Sequence, residues 1–439
     1  MQKIPVIMIF DVGKTNKKVL LFNEQYQVVH EESRKLDEIT DEDGFPCEDV
    51  QALASWIKAS LNKLAADTRF DIKAINFSAY GASFVYLDKA GRVIAPLYNY
   101  LKPYPSALQQ QFYTAYGGES LVAMQAASPV LGSLNSGMQL YRLKYQRAQL
   151  FDQIKYALHL PQYLSYVLSG ALSTDITSIG CHTNLWQFQE NNYHPWVERE
   201  QLTAKFPPIK SYREAAGFVN GIVIGIGLHD SSAALIPYLT FFTEPFVLIS
   251  TGTWCITLNP FDHTPLTEDE LQQDCLCYLS YEGTPVKASR LFAGYEHERE
   301  VKRLAEHFNV PVDHHKHVSF DAALLQQVLT DEADFSQRGL HDYETYELAY
   351  HQLMADIMVK QKRSTSLVLQ GSQQLFVDGG FSNNDVYMNL LAMAFPEHNV
   401  FAAAVPQASA LGAALSMHAN WNSKDLPTDC IGLKYYTPE

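Results

Sequence analysis

The segment Gly225-Ile226-Gly227-Leu228-His229-Asp230-Ser231-Ser232-Ala233-Ala234 carries a His-Asp pair through a glycine-rich approach to the start of a small-residue helix. A carboxylate placed there can take the proton of a hydroxyl as its oxygen attacks phosphorus, a reaction that asks the protein mainly for positioning and charge neutralisation. Taken alone, the same residues also read as a plain helix start, with Asp230 as N-cap and His229 in the loop. Further upstream, Asp11-Val12-Gly13-Lys14-Thr15-Asn16-Lys17-Lys18 imitates the end of a phosphate loop. That motif needs a glycine where Met8 stands, and a helix where Val19 to Phe22 continue as a strand. A Walker site is thereby excluded. What remains is a hairpin turn with a glycine backbone, the Thr15 hydroxyl, cations at Lys14 and Lys18, and a carboxylate, Asp11, closing a buried strand. Such a turn can bind phosphate oxygens while its carboxylate holds magnesium through water. A polar hairpin tip with an Asp cap is the other reading of this piece.

Two more turns repeat the theme. Ile249-Ser250-Thr251-Gly252-Thr253-Trp254 is again strand, hydroxyl-rich turn, strand, and could grip a nucleotide tail from the opposite side. In Asp378-Gly379-Gly380-Phe381-Ser382-Asn383-Asn384, paired glycines end a strand and a polar cap opens a helix. Glycine there lets a flat ring approach the backbone, and the asparagines can hydrogen-bond an adenosine. The histidine-rich stretch Val312 to His317 fits no zinc spacing and has no cysteine nearby, so it reads as a solvated loop.

These turns need elements to position them. Ile4 to Phe10, Lys18 to Phe22 and Tyr26 to His30 read as short strands, Glu48 to Ala66 as a helix, and Ile72 to Ser78 as a strand. A meander feeding a crossover helix implies a mixed sheet with a parallel portion. The second half repeats this grammar. Phe246 to Ser250 and Trp254 to Leu258 are strands, Tyr343 to Lys360 a helix, Leu375 to Asp378 a strand, and Asn383 to Phe395 and Ala408 to His418 helices. The simplest architecture is two related α/β domains around a cleft, residues 1–238 and 239–439, with Pro237 and Pro245 punctuating the boundary.

Composition narrows the partners. With 439 residues, 47% apolar and 18% charged, the chain can bury sizeable cores and makes no case for disorder. Its formal charge of -15 repels phosphate backbones and anionic lipid at long range, which argues against nucleic acid and membrane surfaces as partners. A polyanionic ligand must then be held by local N–H groups, a metal ion or one or two placed cations. The apolar run Ile4 to Phe10 is too short for a signal or a span, and the six cysteines are spread thinly, as in reduced cytoplasmic proteins. The 25 Tyr and 23 Phe suit an aromatic-lined cleft and equally the surface of a homodimer.

In order and residue type these segments together resemble the FGGY carbohydrate kinases, a branch of the actin, hexokinase and heat-shock chaperone superfamily, over Asp11 to Leu415. DVGKTNKK is similar to the family's first phosphate motif and STGTW to the second. VDGGFSNN with VPQASALGAAL resembles its adenosine motif, and GLHDSSAAL with ISTGTW is most similar to the rhamnulokinase branch. The resemblance implies two actin-like (ribonuclease H-like) domains with mixed sheets, and an ATP- and Mg2+-dependent kinase of a small-molecule sugar. Asp230 would be the general base and, with Asp11, a metal ligand; His229 would touch the sugar. Gly13, Lys14, Thr15, Asn16, Gly252 and Thr253 would line the phosphates, and Gly379, Gly380, Asn383 and Asn384 the adenosine. Gly81 and Ala82 match the stretch bordering the sugar. Where relatives carry an aromatic, an acid and an arginine at alternate positions, this chain has Tyr98, Tyr100 and Lys102. Tyr100 and Lys102 are accordingly expected at an altered sugar site.

Overall fold

The computed structural model describes residues 3–329, 333–405 and 407–437; Pro406 of the expected adenosine motif lies outside them. The strand Ile4–Val12 pairs antiparallel with Lys17–Asn23 and parallel with Phe70–Ala79, at the centre of a seven-stranded sheet. Side chains alternate between two cores, as the two-residue period of a strand demands. Val6, Met8 and Phe10 meet the helix Val50–Ala65, whereas Ile7 and Ile9 face the opposite side. A strand buried on both faces needs an unbroken apolar run, which is what Val6 to Phe10 supplies.

The second half follows the same plan. Phe246–Thr251 pairs antiparallel with Cys255–Asn259 and parallel with Gln374–Gly379, within a second seven-stranded sheet. Val247 and Ile249 pack on the long helix Tyr346–Ser366, while Phe246 and Leu248 turn to the core that Ile7 and Ile9 also enter. One apolar core is therefore shared by both sheets. It is filled by two helices, Asp230–Phe241 and Ala408–Leu415, whose small and apolar residues suit burial on nearly all sides.

Several boundaries shift for local reasons. The third strand is Val28–Arg34, not Tyr26 to His30, because the Asn23 side chain accepts from the backbone N–H groups of Gln25 and Gln27 and holds Tyr26 in a left-handed turn. Asp49, Thr345 and Asn384 each cap a helix through their side chains, so the helices start after them, at Val50, Tyr346 and Asp385. Pro237 lies inside the helix Asp230–Phe241, which runs across positions 238 and 239.

The two buried helices touch at their backbones. A Cβ on Gly412 would sit 1.8 Å from the carbonyl oxygen of Ala233. That oxygen lacks its usual partner four residues on, because Pro237 has no N–H. Gly412→Ala is expected to destabilise the protein by about 3 kcal/mol or more, since either backbone must move within a packed core. Urea unfolding of the variant against the parent measures this; a change under about 0.5 kcal/mol would show that the contact is not a constraint.

Candidate active site

Three neighbouring strands of the first sheet end side by side. Asp11 is opposite Ser78, and Leu228-His229 pairs with Ser78-Ala79, so Asp11, Gly81 and Asp230 emerge at one edge. This is the carboxyl end of parallel strands, where α/β sheets present ligand sites. Asp230 begins the helix Asp230–Phe241, with Oδ1 accepting from the Ser231 N–H at 2.7 Å. The site thus uses His229, not Asp230, as the N-cap position.

Asp230 lines a cleft of about 470 Å³ together with Tyr80, Gly81, Ala82, Tyr100, His182, His229, Tyr278, Arg290 and the turn Gly252 to Trp254. Its side chain keeps 33% of its surface open, facing the cleft. Desolvation among these walls pushes its carboxyl above the ordinary range. His229 lies behind it, Nε2 at 3.3 Å from Oδ1 of Asp230, and burial drives the imidazole down to about 4. Neutral at physiological pH, it is suited to hydrogen bonding and not to ion pairing. Its backbone N–H donates to the Thr177 hydroxyl at 3.0 Å, and that hydroxyl in turn donates to the buried Asp175. Gly81 is required here: a Cβ would meet Cδ2 and Nε2 of His229 at 2.8 and 2.9 Å. Ala82 follows with φ of +62°.

Asp11 is held against the same region from the first hairpin. It accepts from the Ser409 hydroxyl at 3.1 Å, which ties it to the helix Ala408–Leu415 of the second domain. Burial and then the charge of Asp230 push its carboxyl up to about 6. Two carboxylates held in each other's field present hard oxygen donors and an excess of negative charge, the setting a magnesium ion satisfies. The donor set therefore fits Mg2+.

The first turn, residues 13–16, is braced from below. Lys17, only 2% exposed, donates to the carbonyls of Gly13 and Lys14 at 3.2 and 3.0 Å and pairs with Glu48 at 2.5 Å. Glu48 also accepts from the Tyr80 hydroxyl at 2.6 Å, linking the first hairpin to the loop that carries Gly81. Thr15 and Asn16 are exposed at the tip, whereas Lys14 is drawn aside to Glu38 at 2.7 Å. In the second domain the Thr251 hydroxyl donates to the Asp378 carbonyl and accepts from the Phe381 N–H, fastening the Gly252-Thr253 turn to the glycine pair. Gly379 has φ of +86°, and a Cβ there would lie 1.9 Å from the Thr251 carbonyl oxygen.

Gly380, Asn383 and Asn384 line a second cavity of about 650 Å³, which Thr251 and Gly252 share with the cleft. Asn384 is largely engaged already, capping at Tyr387 and donating to the Tyr350 hydroxyl at 2.7 Å. The stretch Val312–His317, expected as a free loop, is a short 3-10 helix whose His315, Lys316 and His317 wall this cavity.

Lys102 requires a correction. It does not reach the cleft but is buried against Asp41 and Asp43, the latter at 2.7 Å, and the acidic turn is clamped further by Arg142 and Arg147. Two carboxylates outcompete a neutral sugar for a buried ammonium. Tyr98 likewise donates to Glu42 at 2.6 Å, while Tyr100 stays in the cleft, edge-on to Tyr80 at 5.8 Å. Sequence reasoning missed Arg290, Tyr278 and His182, which reach the cleft from two strands and a turn without a recognisable motif.

Two like-built sheets whose strand ends enclose a carboxylate, with a second cavity alongside, define a two-domain α/β cleft protein. A model of the FGGY family of carbohydrate kinases, N-terminal domain, matches residues 6–237, and one for the carbohydrate kinase FGGY C-terminal domain matches residues 243–425. The chain belongs to the FGGY family of carbohydrate kinases. It is 23% identical over 257 residues to a rhamnulokinase of Halalkalibacterium halodurans, covering 56% of this chain and 52% of that protein. It is 22% identical over 272 residues to L-fuculokinase of Escherichia coli K12, covering 58% and 57%. The matched segment thus spans a little over half the length of these relatives. A carbohydrate kinase structure from Novosphingobium aromaticivorans superposes with TM-score 0.80 at 23% identity, covering 100% of this chain and 95% of that one. Xylulose kinase from Rhodospirillum rubrum superposes with TM-score 0.81 at 16% identity, covering 99% and 94%. Among the described residues no helix is long and apolar enough to cross a membrane.

Two predictions follow from this geometry. Lys17→Met leaves Glu48 buried and uncompensated and should cost about 3–5 kcal/mol, most of it recovered in Lys17→Met/Glu48→Gln; equal losses in the single and double variants, measured by urea unfolding, would show that the pair is not coupled. The second concerns pH. The folded value of Asp11 lies near 6, above its ordinary 3.8, so its stabilising contribution is complete below about 3.8 and is lost as pH rises through about 6. In EDTA, Asp11→Asn should therefore melt higher than the parent above pH 6, with the gap closing towards pH 4. A gap that widens on acidification would contradict the assignment.

Proposed function

We propose that the protein is an ATP-dependent kinase that phosphorylates a sugar hydroxyl, the acceptor being a ketose such as L-rhamnulose or L-fuculose. The observation that carries this reading is Asp230, open on one side to a cleft that also holds the Gly252-Thr253 turn. Burial raises the carboxylate's proton affinity, which makes it a better base than a solvated aspartate. It takes the proton of the acceptor hydroxyl as that oxygen attacks the terminal phosphorus of ATP. His229, kept neutral, orients the hydroxyl, and Gly81 lets the sugar approach the backbone closely. The two hairpin turns supply backbone donors for the phosphates, and Gly380, Asn383 and Asn384 border the adenosine. Asp11 and Asp230 would hold Mg2+, which neutralises charge on the transferred phosphate when bound. Tyr80, Tyr100, Trp254 and Tyr278 surround the reacting centre with rings that displace water, the competing nucleophile.

The choice of ketose rests on resemblance to rhamnulokinases and L-fuculokinase. Relatives of similar fold include enzymes described as xylulose, gluconate and glycerol kinases, so an acceptor panel must include xylulose, ribulose, gluconate and glycerol. ADP release should be stimulated by a ketose and should fall by about 10²–10⁴-fold in Asp230→Asn with the KM for ATP nearly unchanged. Full sugar-dependent turnover in that variant would remove Asp230 as the base. Tight ATP binding with no stimulation by any sugar would mark a nucleotide-dependent sensor on the same fold.

A further inference from the structure

The wall of the cleft behind Asp230 holds a group of which the transfer reaction uses only His229. The donor atoms of Cys181, His182 and His229, all three residues buried, lie within 4.8 Å of one another, the one such Cys/His/carboxylate group among the described residues. Cys181 and His182 sit in the turn after the short helix Ile176–Ile179, with His182 held at φ +36°. Across from them, His229 Nδ1 lies 3.4 Å from the Ser232 hydroxyl, leaving Nε2 to face the group. The missing Cβ of Gly81 marks where they converge: it would lie 2.9 Å from both Cys181 Sγ and His229 Nε2. A second observation points to a ligand. His182 Nδ1 is shielded from solvent without a hydrogen-bond partner, in a side chain more than nine-tenths buried. Such an atom carries a desolvation cost that a ligand would remove.

The donors also select the ligand. One sulfur and two imidazole nitrogens form a borderline-soft set, the kind that Zn2+ takes and Mg2+ declines. Asp230 Oδ1, 3.3 Å from His229 Nε2, lies beside the group without belonging to it, so the fourth position falls to solvent from the cleft. The charge of Asp230 is also felt at Asp11, so this one side chain stands between two kinds of cation site. His182 and His229 line the cleft, which gives the ion an entry path, and Cys181 lies behind them.

We propose that Cys181, His182 and His229 bind a single borderline-soft divalent cation of the Zn2+ type, and that its binding blocks the acceptor side of the cleft. The Cys181 thiol gives up its proton to solvent as the sulfur–metal bond forms, with no change of oxidation state. The ion draws His229 away from the acceptor and sets positive charge beside the base, so inhibition is relieved by sugar and not by ATP. That last consequence rests on the kinase reading; the binding itself does not.

The test is a Co2+ titration of the full chain without added nucleotide. Wild-type protein should bind one Co2+ with the strong visible bands of four-coordinate cobalt and a near-ultraviolet sulfur-to-cobalt charge-transfer band, both erased by one equivalent of Zn2+. The charge-transfer band should vanish in Cys181→Ala, and in Cys181→Ser should the alanine variant fail to fold. It should persist in Cys430→Ala, and His182→Phe should weaken binding at least about tenfold. Absence of the band from the wild type, or its survival without the Cys181 sulfur, would overturn the site. With Mg2+ in excess, micromolar Zn2+ should raise the KM for the sugar in the parent and leave Cys181→Ala unaffected. Failure of every sugar to stimulate turnover would sink the kinase reading and leave the spectrum to decide the metal site.

Discussion

The backbone contact between Gly412 and Ala233 is the constraint on which the site depends. The helix Asp230–Phe241 begins with Asp230, the carboxylate of the cleft, and Ala408–Leu415 carries Ser409, the residue that fixes Asp11. Only when these helices lie at glycine distance can a hydroxyl from the second domain reach a carboxylate of the first. Pro237 prepares the contact by leaving the Ala233 carbonyl without its helical donor, and the Cα of Gly412 packs against that oxygen. Asn76 adds a polar lock, donating to the Ala413 carbonyl and the Ser416 hydroxyl from the centre of the first sheet. The shared core is thus where the two domains are held in register.

Around this contact the charges are arranged in tension. Asp11 and Asp230 repel one another in a desolvated setting, a state that costs stability until a cation relieves it. The protein does not place a lysine between them. Lys17, the nearest buried cation on the hairpin, is committed to Glu48 and to the carbonyls of the turn; Lys18 reaches Gln407 and Glu31. The two carboxylates are therefore only partly offset, by the charge of Lys18 at Asp11, while the buried Lys17–Glu48 pair gives the first hairpin turn its shape.

How much of this was legible in the sequence follows from the range of the interactions concerned. The two hairpins, the glycine pair and the His-Asp helix start were readable because each is a local event: a strand ends, a small residue turns, a cap begins. Boundaries moved by one to three residues where a side chain captured the backbone, as at Asn23, Asp49 and Asn384. Lys102 was misplaced because its partners Asp41 and Asp43 come from a turn some 60 residues earlier, brought near only by the folded domain. Arg290 and Tyr278 gave no signal at all, since alternation along a strand does not say which face meets a cleft built by another domain.

The face those two residues occupy explains how the cleft is divided. Arg290 pairs with Ile256 across the sheet, and its guanidinium lies over the Trp254 ring at 5.2 Å while it binds Asp274. Tyr278 stacks on His229 at 5.7 Å, so the second domain contributes one wall of the cleft around Asp230 as well as the lining of the second cavity. The space between Gly81 and Tyr278 is walled by both domains at once, so any relative movement changes both walls. The shape of the cleft and the domain arrangement are consequently one variable, and the residues that tune it sit in neither of the glycine-rich turns by which the cleft is recognised.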